Sequence, residues 1–307
     1  MEIIEDYMDA DVAYLMGLII ARGTLEPSPQ RKLILHFPKS NMEATGIELS
    51  FDQEISIRLG LDSIRERISE LLGTAIKTEI NQNSVDLIID FSSNNMVWRN
   101  ILLLTKKATS YRHFSIPDIF FNPDLPKDWK TEFIKGYGDS AGNVRKANLY
   151  VDGRHRVRLD VLNYPTNWEL PIQLCHLLQE QIGVPVLNIN WGHPNLNRDF
   201  REHQINIFAD AYLKIGFSFE HKQKILEELA NWNKEEKPNS KPTECPSHGA
   251  RYKKKKKNPE EKNAEKLDLR LVGKHFDGYR QICKRLGCKR RPSVKGQTAF
   301  HFEEDAD

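Results

Sequence analysis

Hydrophobic and polar positions alternate with two different periods along this chain, and the periods follow one another in the same order in each half. After an apolar helical segment near the start, the first half has strand-like segments at 31–37 and 47–51, a helical segment at 62–73, strand-like segments at 75–80 and 85–91, and a helical segment at 96–106. The second half repeats this order at 144–151, 154–162, 167–183, 186–191, 204–209 and 211–232. The pattern predicts an α+β fold of two αββαββα repeats.

The helical segment that opens each repeat carries small residues at helical spacing. These segments read AYLMGLIIARGTL at 13–25 and EFIKGYGDSAGNV at 132–144. Gly17 and Ala21 share one face of the first helix, and Gly136 and Ser140 share one face of the second. Because only such small residues leave room for two helix backbones to touch, we expect these two helices to pack against each other.

Read without gaps, LMGLIIARG and IKGYGDSAG each end in a glycine that stops a helix, and they resemble the LAGLIDADG motif of homing endonucleases. The order of elements, the lead segment SIPDIFFNPDLPKDWKTEFIKG and the ending AYLKIGFSFEHKQKIL resemble that family as well, so the resemblance covers about residues 10–232. It implies two tandem repeats, at 1–115 and 116–232, which form a pseudo-symmetric core with antiparallel sheets. A linker at 233–244 and a small basic Cys/His module at 245–307 complete the predicted chain.

The resemblance also locates the positions on which cleavage would depend. In active LAGLIDADG enzymes the acid before the terminal glycine of each motif holds the divalent metals that activate water. Those positions are Arg22 and Ala141 in this chain, and neither side chain can ligate a metal. Asp139 matches the other acid of the motif, which in the family caps or packs near the helix end, and it is our candidate for a relocated metal ligand. The sequence thus argues against the usual metal-dependent cleavage, and we expect magnesium as a cofactor only if a relocated site works.

DNA binding depends on different residues, because the family presents one face of each sheet to the major groove. In the second repeat, period two places Val157, Leu159 and Val161 in the core and an Arg-, Asn- and Gln-rich set on the outside. Arginine suits guanine, and Asn or Gln suits adenine. The predicted DNA-binding set in this sheet is Lys146, Asn148, Tyr150, Arg154, Arg156, Arg158, Asn188, Asn190, Gln204 and Asn206. The alternative is an ordinary polar face in contact with solvent.

The outward face of the first repeat is more acidic. With Leu33, Leu35 and Phe37 facing inward, the predicted outward set is Lys32, Ile34, His36, Glu48, Ser50, Asp52, Asp86, Ile88 and Asp90. Carboxylates can accept hydrogen bonds from cytosine amines, but several of them would repel phosphates. The first half therefore either binds DNA weakly or presents this face to something else.

Charge and hydropathy indicate where in the cell the protein acts and which partners it can have. The net charge of the 307 residues is only +2, but basic residues concentrate in RYKKKKK at 251–257 and KRLGCKRRPSVK at 284–295. No apolar segment approaches about 18 residues, and the acidic start MEIIEDYMDAD is unlike a signal peptide. We expect a cytoplasmic, nucleoid-associated protein without a membrane partner, and a monomer with internal pseudo-two-fold symmetry.

The C-terminal segment combines cysteines with basic residues. Cys245, His248, Cys283 and Cys288 are predicted to hold a structural zinc ion, with His275 or His301 as replacement ligands; free structural cysteines are the alternative. Cys175 reads as a core residue instead. An apolar stripe between the two cysteine-containing segments predicts a small helix. Its basic neighbours, predicted to contact phosphates, are Arg280, Lys284, Arg285, Lys289, Arg290 and Arg291.

Three functions are compatible with these features. The leading hypothesis is a sequence-preferring double-stranded DNA-binding protein on a LAGLIDADG-type scaffold that has lost both metal-binding acids. The second is an active homing or restriction-type endonuclease with relocated acids, of which Asp139 is the first candidate. The third is an RNA-binding or splicing-related module, because a basic sheet can bind either nucleic acid.

Overall fold

The computed structural model describes residues 8–43, 52–92, 95–149, 154–162, 169–194, 201–235, 281–289 and 294–296. The first half contains α1 (Ala10–Arg22), β1 (Gly23–Glu26), β2 (Arg31–Pro38), α2 (Lys39–Met42), α3 (Gln53–Leu72), β3 (Ile76–Ile80), β4 (Ser84–Phe91) and α4 (Met96–Leu104). A 3-10 turn, Asp118–Phe121, precedes the second half. The second half contains α5 (Lys127–Ala141), β5 (Gly142–Leu149), β6 (His155–Val161), α6 (Glu169–His176), β7 (Asn188–Pro194), β8 (Arg201–Phe208), α7 (Ala209–Tyr212) and α8 (Glu220–Glu235). One π-helical segment, Leu177–Ile182, continues α6, and β9 (Val294–Gly296) lies near the end of the chain.

Each half contributes one sheet, and the two sheets have the same strand order. The first sheet runs β1-β2-β4-β3 and the second runs β5-β6-β8-β7, with β9 added at the β7 edge. All neighbouring strands are antiparallel except β7 and β9, which are parallel. The predicted α+β fold with two LAGLIDADG-like halves is therefore confirmed by the arrangement of the described elements.

The helices α1 and α5 pack against each other where the two halves meet, as their glycines predict. A methyl group at Gly17 would lie 2.0 Å from the carbonyl oxygen of Phe133, and one at Gly136 would lie 2.1 Å from the carbonyl oxygen of Tyr14. Backbone meets backbone at both places, so no side-chain rotation could make room. Both helices bury their other faces under the two sheets, and Ile20 is fully buried.

The helix α1 leads into strand β1 without a connecting loop. Gly23 has an extended backbone (φ −85°, ψ 144°), and its N–H donates to the carbonyl oxygen of Ile19. This glycine is needed for space, since a Cβ there would lie 2.6 Å from that same oxygen. The short strand β1 that follows was missed by the sequence analysis because four residues, GTLE, carry too little alternation.

The connection between β2 and α3 differs from the predicted one. The predicted strand at 47–51, with Glu48 and Ser50 on its outward face, lies outside the described residues. Asp52 was predicted to face outward from that strand, and this is wrong. It is the N-cap of α3, where its Oδ1 accepts a hydrogen bond from the Glu54 N–H at 2.8 Å. The helix therefore starts at Gln53 instead of at 62.

Among the described residues, no helix is both long enough and apolar enough to cross a membrane.

Candidate nucleic-acid interface

The two motif helices end in Arg22 and Ala141, so neither has a carboxylate at its last position. Arg22 is 3% exposed; its Nη1 donates to the carbonyl oxygen of Ala21 at 3.0 Å, and its guanidinium carbon lies 5.7 Å from the ring centre of Tyr111. Ala141, at the end of α5, is fully buried. The cation and the methyl group at these helix ends offer no oxygen ligand for a divalent ion.

Asp139 is a structural residue, which corrects its interpretation as a relocated metal ligand. The side chain is fully buried, its Oδ2 accepts from the Tyr14 hydroxyl at 2.7 Å, and its Oδ1 accepts from the Ser218 N–H at 2.9 Å. Burial raises the pKa of Asp139, although the nearby Lys222 ammonium opposes that shift. Both oxygens are thus occupied in joining α5 to α1 and to the segment before α8. In the described part of the chain, no three His, Cys, Asp or Glu side chains form a group that could hold a metal.

Lys222 occupies the space below the end of α5. Its Nζ donates to the carbonyl oxygens of Gly138, Asp139 and Gly142 at 3.1, 3.2 and 3.2 Å, and the residue is 1% exposed. A cation placed on the last carbonyls of a helix is favoured by the helix dipole, while burial lowers the pKa of Lys222 to about 8. The sequence analysis missed this residue, because a lysine in the amphipathic segment EHKQKIL resembles a solvent-exposed one.

The core-facing residues of β6 are those predicted. Val157, Leu159 and Val161 are fully buried. On the opposite face, a row of polar residues crosses four strands in register: Asn143 of β5 pairs with Arg158 of β6, Arg158 pairs with Asn206 of β8, and Asn206 pairs with Asn188 of β7. We call these four residues the polar row. It places one guanidinium among three amides, which is the residue chemistry of base recognition.

The exposure predicted for the amides of this face is wrong. Asn188 and Asn206 are fully buried and Gln204 is 3% exposed, because the groups bond to one another. The Asn206 amide donates to Oδ1 of Asn188 at 2.9 Å, and Arg158 donates to Oε1 of Gln204 at 3.3 Å. Arg158 and its neighbour Arg156 remain partly exposed. Among the polar residues described on the outward face of β6 and β8, solvent thus reaches these two arginines.

Arg154 was predicted to read DNA, but it is held in a structural ion pair. Its Nη2 donates to both carboxylate oxygens of Asp210, at 3.0 and 2.9 Å, and its guanidinium carbon lies 3.8 Å from the ring centre of Phe208. Asn233 donates to the same carboxylate from α8. An arginine that is both ion-paired and stacked on a ring is held in place, so Arg154 ties the start of β6 to the helices behind the sheet.

The strand β5 changes face once along its length. Val144 pairs with Val157, and Leu149 pairs with His155. Val157 and His155 lie on the same face of β6, whereas strict alternation along β5 would place Val144 and Leu149 on opposite faces. The simple alternation predicted for β5 therefore fails at this irregularity. Lys146 is exposed there. Asn148 and Asn190 are described by their backbones alone, and Tyr150 lies outside the described residues.

The first sheet pairs most of its outward carboxylates. Lys77 donates to Asp90 at 2.7 Å, and Asn81 donates to Asp86 at 2.8 Å. His36 lies between Asp86 and Thr24, with its Nδ1 3.1 Å from Oδ1 of Asp86 and its Nε2 3.0 Å from the hydroxyl of Thr24. The acidity of this face is therefore partly neutralised within the sheet, while Ile34 and Ile88 pair across its centre.

The C-terminal segment is described only in part. Lys284 and Lys289 are exposed, as a phosphate-contacting role requires, whereas the Arg285 guanidinium is bonded to Glu169 of α6. Cys283 is buried and Cys288 is partly buried. The other predicted residues, Cys245, His248, Arg280, Arg290 and Arg291, lie outside the described residues.

Comparison with known proteins gives distant structural neighbours. No family model matches the sequence, and no curated protein sequence matches it. The structure of full-length WhiA from Thermatoga maritima has 11% sequence identity and a TM-score of 0.44, with 74% of this chain and 61% of WhiA covered. This chain therefore spans less than two thirds of that protein. The LAGLIDADG domain of WhiA has 14% identity and a TM-score of 0.36, over 68% of this chain and 81% of the domain.

The homing endonuclease I-DmoI, in complex with DNA and manganese, has 15% identity and a TM-score of 0.41, with 70% of this chain and 96% of I-DmoI covered. Similarity this distant does not indicate a shared activity.

Proposed function

We propose that this protein binds double-stranded DNA with sequence preference, through the outward face of its second sheet, and that it does not cleave DNA by the two-metal route. The observation that carries the proposal is the polar row, in which Arg158 sits among Asn143, Asn188 and Asn206 across four strands. A two-sided sheet needs polar groups on its outer face, but a plain solvent face is usually mixed in charge and rich in lysine and glutamate. Amides around a guanidinium are instead suited to base edges.

The arginines of β6 supply the first contacts. A guanidinium can donate two hydrogen bonds to O6 and N7 of guanine, and Arg158 and Arg156 lie two residues apart on the same face. The Gln204 amide, which lies beside the polar row on β8, holds Arg158 in position by accepting a hydrogen bond from its guanidinium.

Phosphate contacts would come from the C-terminal segment. Lys284 and Lys289 are exposed, and neither belongs to the polar row. Each lysine that neutralises a phosphate releases counterions, which adds affinity for any sequence and makes that affinity depend on salt. Sequence preference and overall affinity are thereby assigned to different residues.

Selection of bound duplexes from a random-sequence library tests the base-reading role. We expect Arg158→Ala to cost about 1 to 3 kcal/mol for the preferred base at one position and to relax the preference there. Lys289→Ala should weaken all sequences alike and lower the salt slope by about one. Arg58→Ala, which removes an equal charge from the exposed side of α3, is the matched control and should change neither quantity. An Arg158 variant that weakens every sequence equally would show that this residue does not read bases.

Incubation of the selected duplex with magnesium or manganese tests the absence of cleavage. We expect no double-strand break, because Arg22 and Ala141 supply no ligand and both oxygens of Asp139 are bonded in the core. Site-specific cutting that requires the metal would favour the endonuclease alternative. Selection that enriches RNA over duplex DNA would favour the splicing-related one.

A further inference from the structure

The outward face of the first sheet carries two isoleucines at its centre. Ile34 of β2 pairs with Ile88 of β4, and both remain partly exposed. Their strand neighbours Leu33, Leu35 and Leu87 are at most 1% exposed on the core side, so the two isoleucines lie on the opposite face. Side chains directly across an antiparallel pair have Cβ atoms about 5 Å apart. The two therefore form one continuous apolar surface, which we call the isoleucine pair.

Polar groups border the isoleucine pair within the sheet. In register with it, Thr24 of β1 pairs with Ile34, and Lys77 of β3 pairs with Ile88. The next outward positions along β2 and β4 are Lys32, His36, Asp86 and Asp90. An apolar surface enclosed by hydrogen-bonding groups is suited to a small apolar group of a ligand whose other atoms are polar.

The isoleucine pair occupies the position in the first sheet that a guanidinium and an amide occupy in the second. In each half, the glycine that follows the motif helix pairs with a leucine of the next strand. The residue before that leucine is Ile34 in the first sheet and Arg158 in the second. The residues that correspond to the polar row are therefore Thr24, Ile34, Ile88 and Lys77.

The outward faces of the two sheets adjoin each other in the folded chain. Asn41 of α2, the helix that directly follows β2, donates to Oδ2 of Asp160 at 3.2 Å. Asp160 lies two positions from Arg158 on β6 and pairs with Gln204, so it belongs to the outward face of the second sheet. The end of β2 thus lies beside the proposed DNA-binding face, and a duplex that continues past this contact meets the first sheet.

We propose that the isoleucine pair contacts the C5 methyl group of a thymine in the major groove of bound DNA, an inference that rests on the proposed DNA-binding function. Thymine presents this methyl group in the groove next to its O4 acceptor, and apolar side chains recognise the methyl group by contact. The second sheet then recognises bases through hydrogen bonds, and the first sheet recognises one through its methyl group.

Lys77 favours thymine over 5-methylcytosine, which carries the same methyl group. Its Nζ donates to Oδ2 of Asp90 at 2.7 Å, and its side chain is 72% exposed, so the ammonium has further donors for O4 of thymine. The amine of 5-methylcytosine would need an acceptor instead. Oδ1 of both Asp86 and Asp90 is buried, and their Oδ2 atoms are bonded to Asn81 and Lys77. A donor is thus available beside the isoleucine pair, whereas the carboxylate oxygens are buried or already bonded.

Deoxyuridine substitution in the duplex selected by the wild-type protein tests the contact. Deoxyuridine lacks only the C5 methyl group of thymidine and keeps its hydrogen-bonding groups. We expect the full chain to bind about three to five times more weakly when one particular thymine is replaced, as burial of one methyl group implies. That position should differ from the one at which Arg158→Ala relaxes the preference, because the two side chains lie on different sheets.

Variants assign the methyl contact to the isoleucine pair. Ile34→Ala and Ile88→Ala should each bind the thymine and deoxyuridine duplexes almost equally, because the methyl group has lost its partner. Ile80→Ala is the matched control and should keep the difference. Ile80 is 78% exposed in the same sheet, but it pairs with the core-facing Val85 and so lies on the other face. Circular dichroism establishes that each variant is folded before its affinities are compared.

Three results would overturn the inference and leave the proposed function in place. The first is a selected duplex that tolerates deoxyuridine at every thymine. The second is discrimination against deoxyuridine that persists in both isoleucine variants. The third is tighter binding when 5-methylcytosine replaces the sensitive thymine, which would assign the isoleucine pair to that base. Failure to select any duplex would instead contradict the proposed function and this inference together.

Discussion

Alanine in place of Gly17 or Gly136 should destabilise the protein by about 3 to 5 kcal/mol, the largest effect that we expect from adding a single methyl group. The added carbon would lie 2.0 Å from the Phe133 carbonyl oxygen in one variant and 2.1 Å from the Tyr14 carbonyl oxygen in the other. Since both obstacles are backbone atoms inside helices, α1 and α5 must move apart to accept it. Equilibrium unfolding in urea measures the loss.

Gly73→Ala is the control for this experiment. Gly73 ends α3 with a positive φ of 59°, and nothing lies within 4 Å of a Cβ built there. Its replacement should cost only about 1 to 2 kcal/mol, the ordinary penalty for a left-handed residue. If the Gly17 and Gly136 variants lost no more than this control, the close contact between the two motif helices would be disproved.

Removal of the Asp139 carboxylate should cost about 3 to 5 kcal/mol of folding stability, because Asp139→Ala removes a buried acceptor and charge that face three other groups. The Tyr14 hydroxyl and the Ser218 N–H lose their acceptor, and Lys222 loses the nearest opposing charge. Thermal and urea unfolding of the variant measure the effect. Asp118→Ala removes an acid that is 79% exposed and should change stability by less than about 1 kcal/mol.

The Asp139 experiment also separates the structural role from a catalytic one. A metal-ligating acid in an active site is usually dispensable for folding, so its removal would abolish a metal-dependent activity in a protein of normal stability. An Asp139→Ala variant as stable as the wild type would therefore restore Asp139 as a candidate ligand.

Local pattern predicted the elements of this protein well where one face of the element is buried. Val157, Leu159 and Val161 are core residues because strand alternation allows only one assignment of the buried face. Gly17 and Gly136 each lie against the backbone of the opposite helix because few other residues fit at that spacing. Alternation separates the two faces of a strand, but it carries no information on what lies over the outer face. Exposure was for that reason predicted wrongly for the buried amides Asn188 and Asn206.

The structural roles that the sequence analysis missed depend on residues distant in the chain. Lys222 bonds to carbonyl groups about 80 positions earlier, and Arg154 pairs with an aspartate 56 positions later. Neither partner is visible from spacing or composition, because a buried lysine or arginine has the same sequence signature as an exposed one. The Cys288–His176 contact, across 112 positions, is likewise visible only in the fold.

The direct passage from helix to strand in both halves fixes the geometry that a bound duplex would meet. Arg22 ends α1 and Gly23 begins β1, and Ala141 ends α5 and Gly142 begins β5, so neither motif helix is joined to its sheet by a loop that could act as a hinge. The helices are in turn locked to each other through their glycines. The two sheets are thereby held in a fixed position relative to each other. For DNA lying across both sheets, the protein would set the distance between the two contacted segments and their rotational phase around the helix axis. The duplex, which can bend and twist, has to adjust to that spacing.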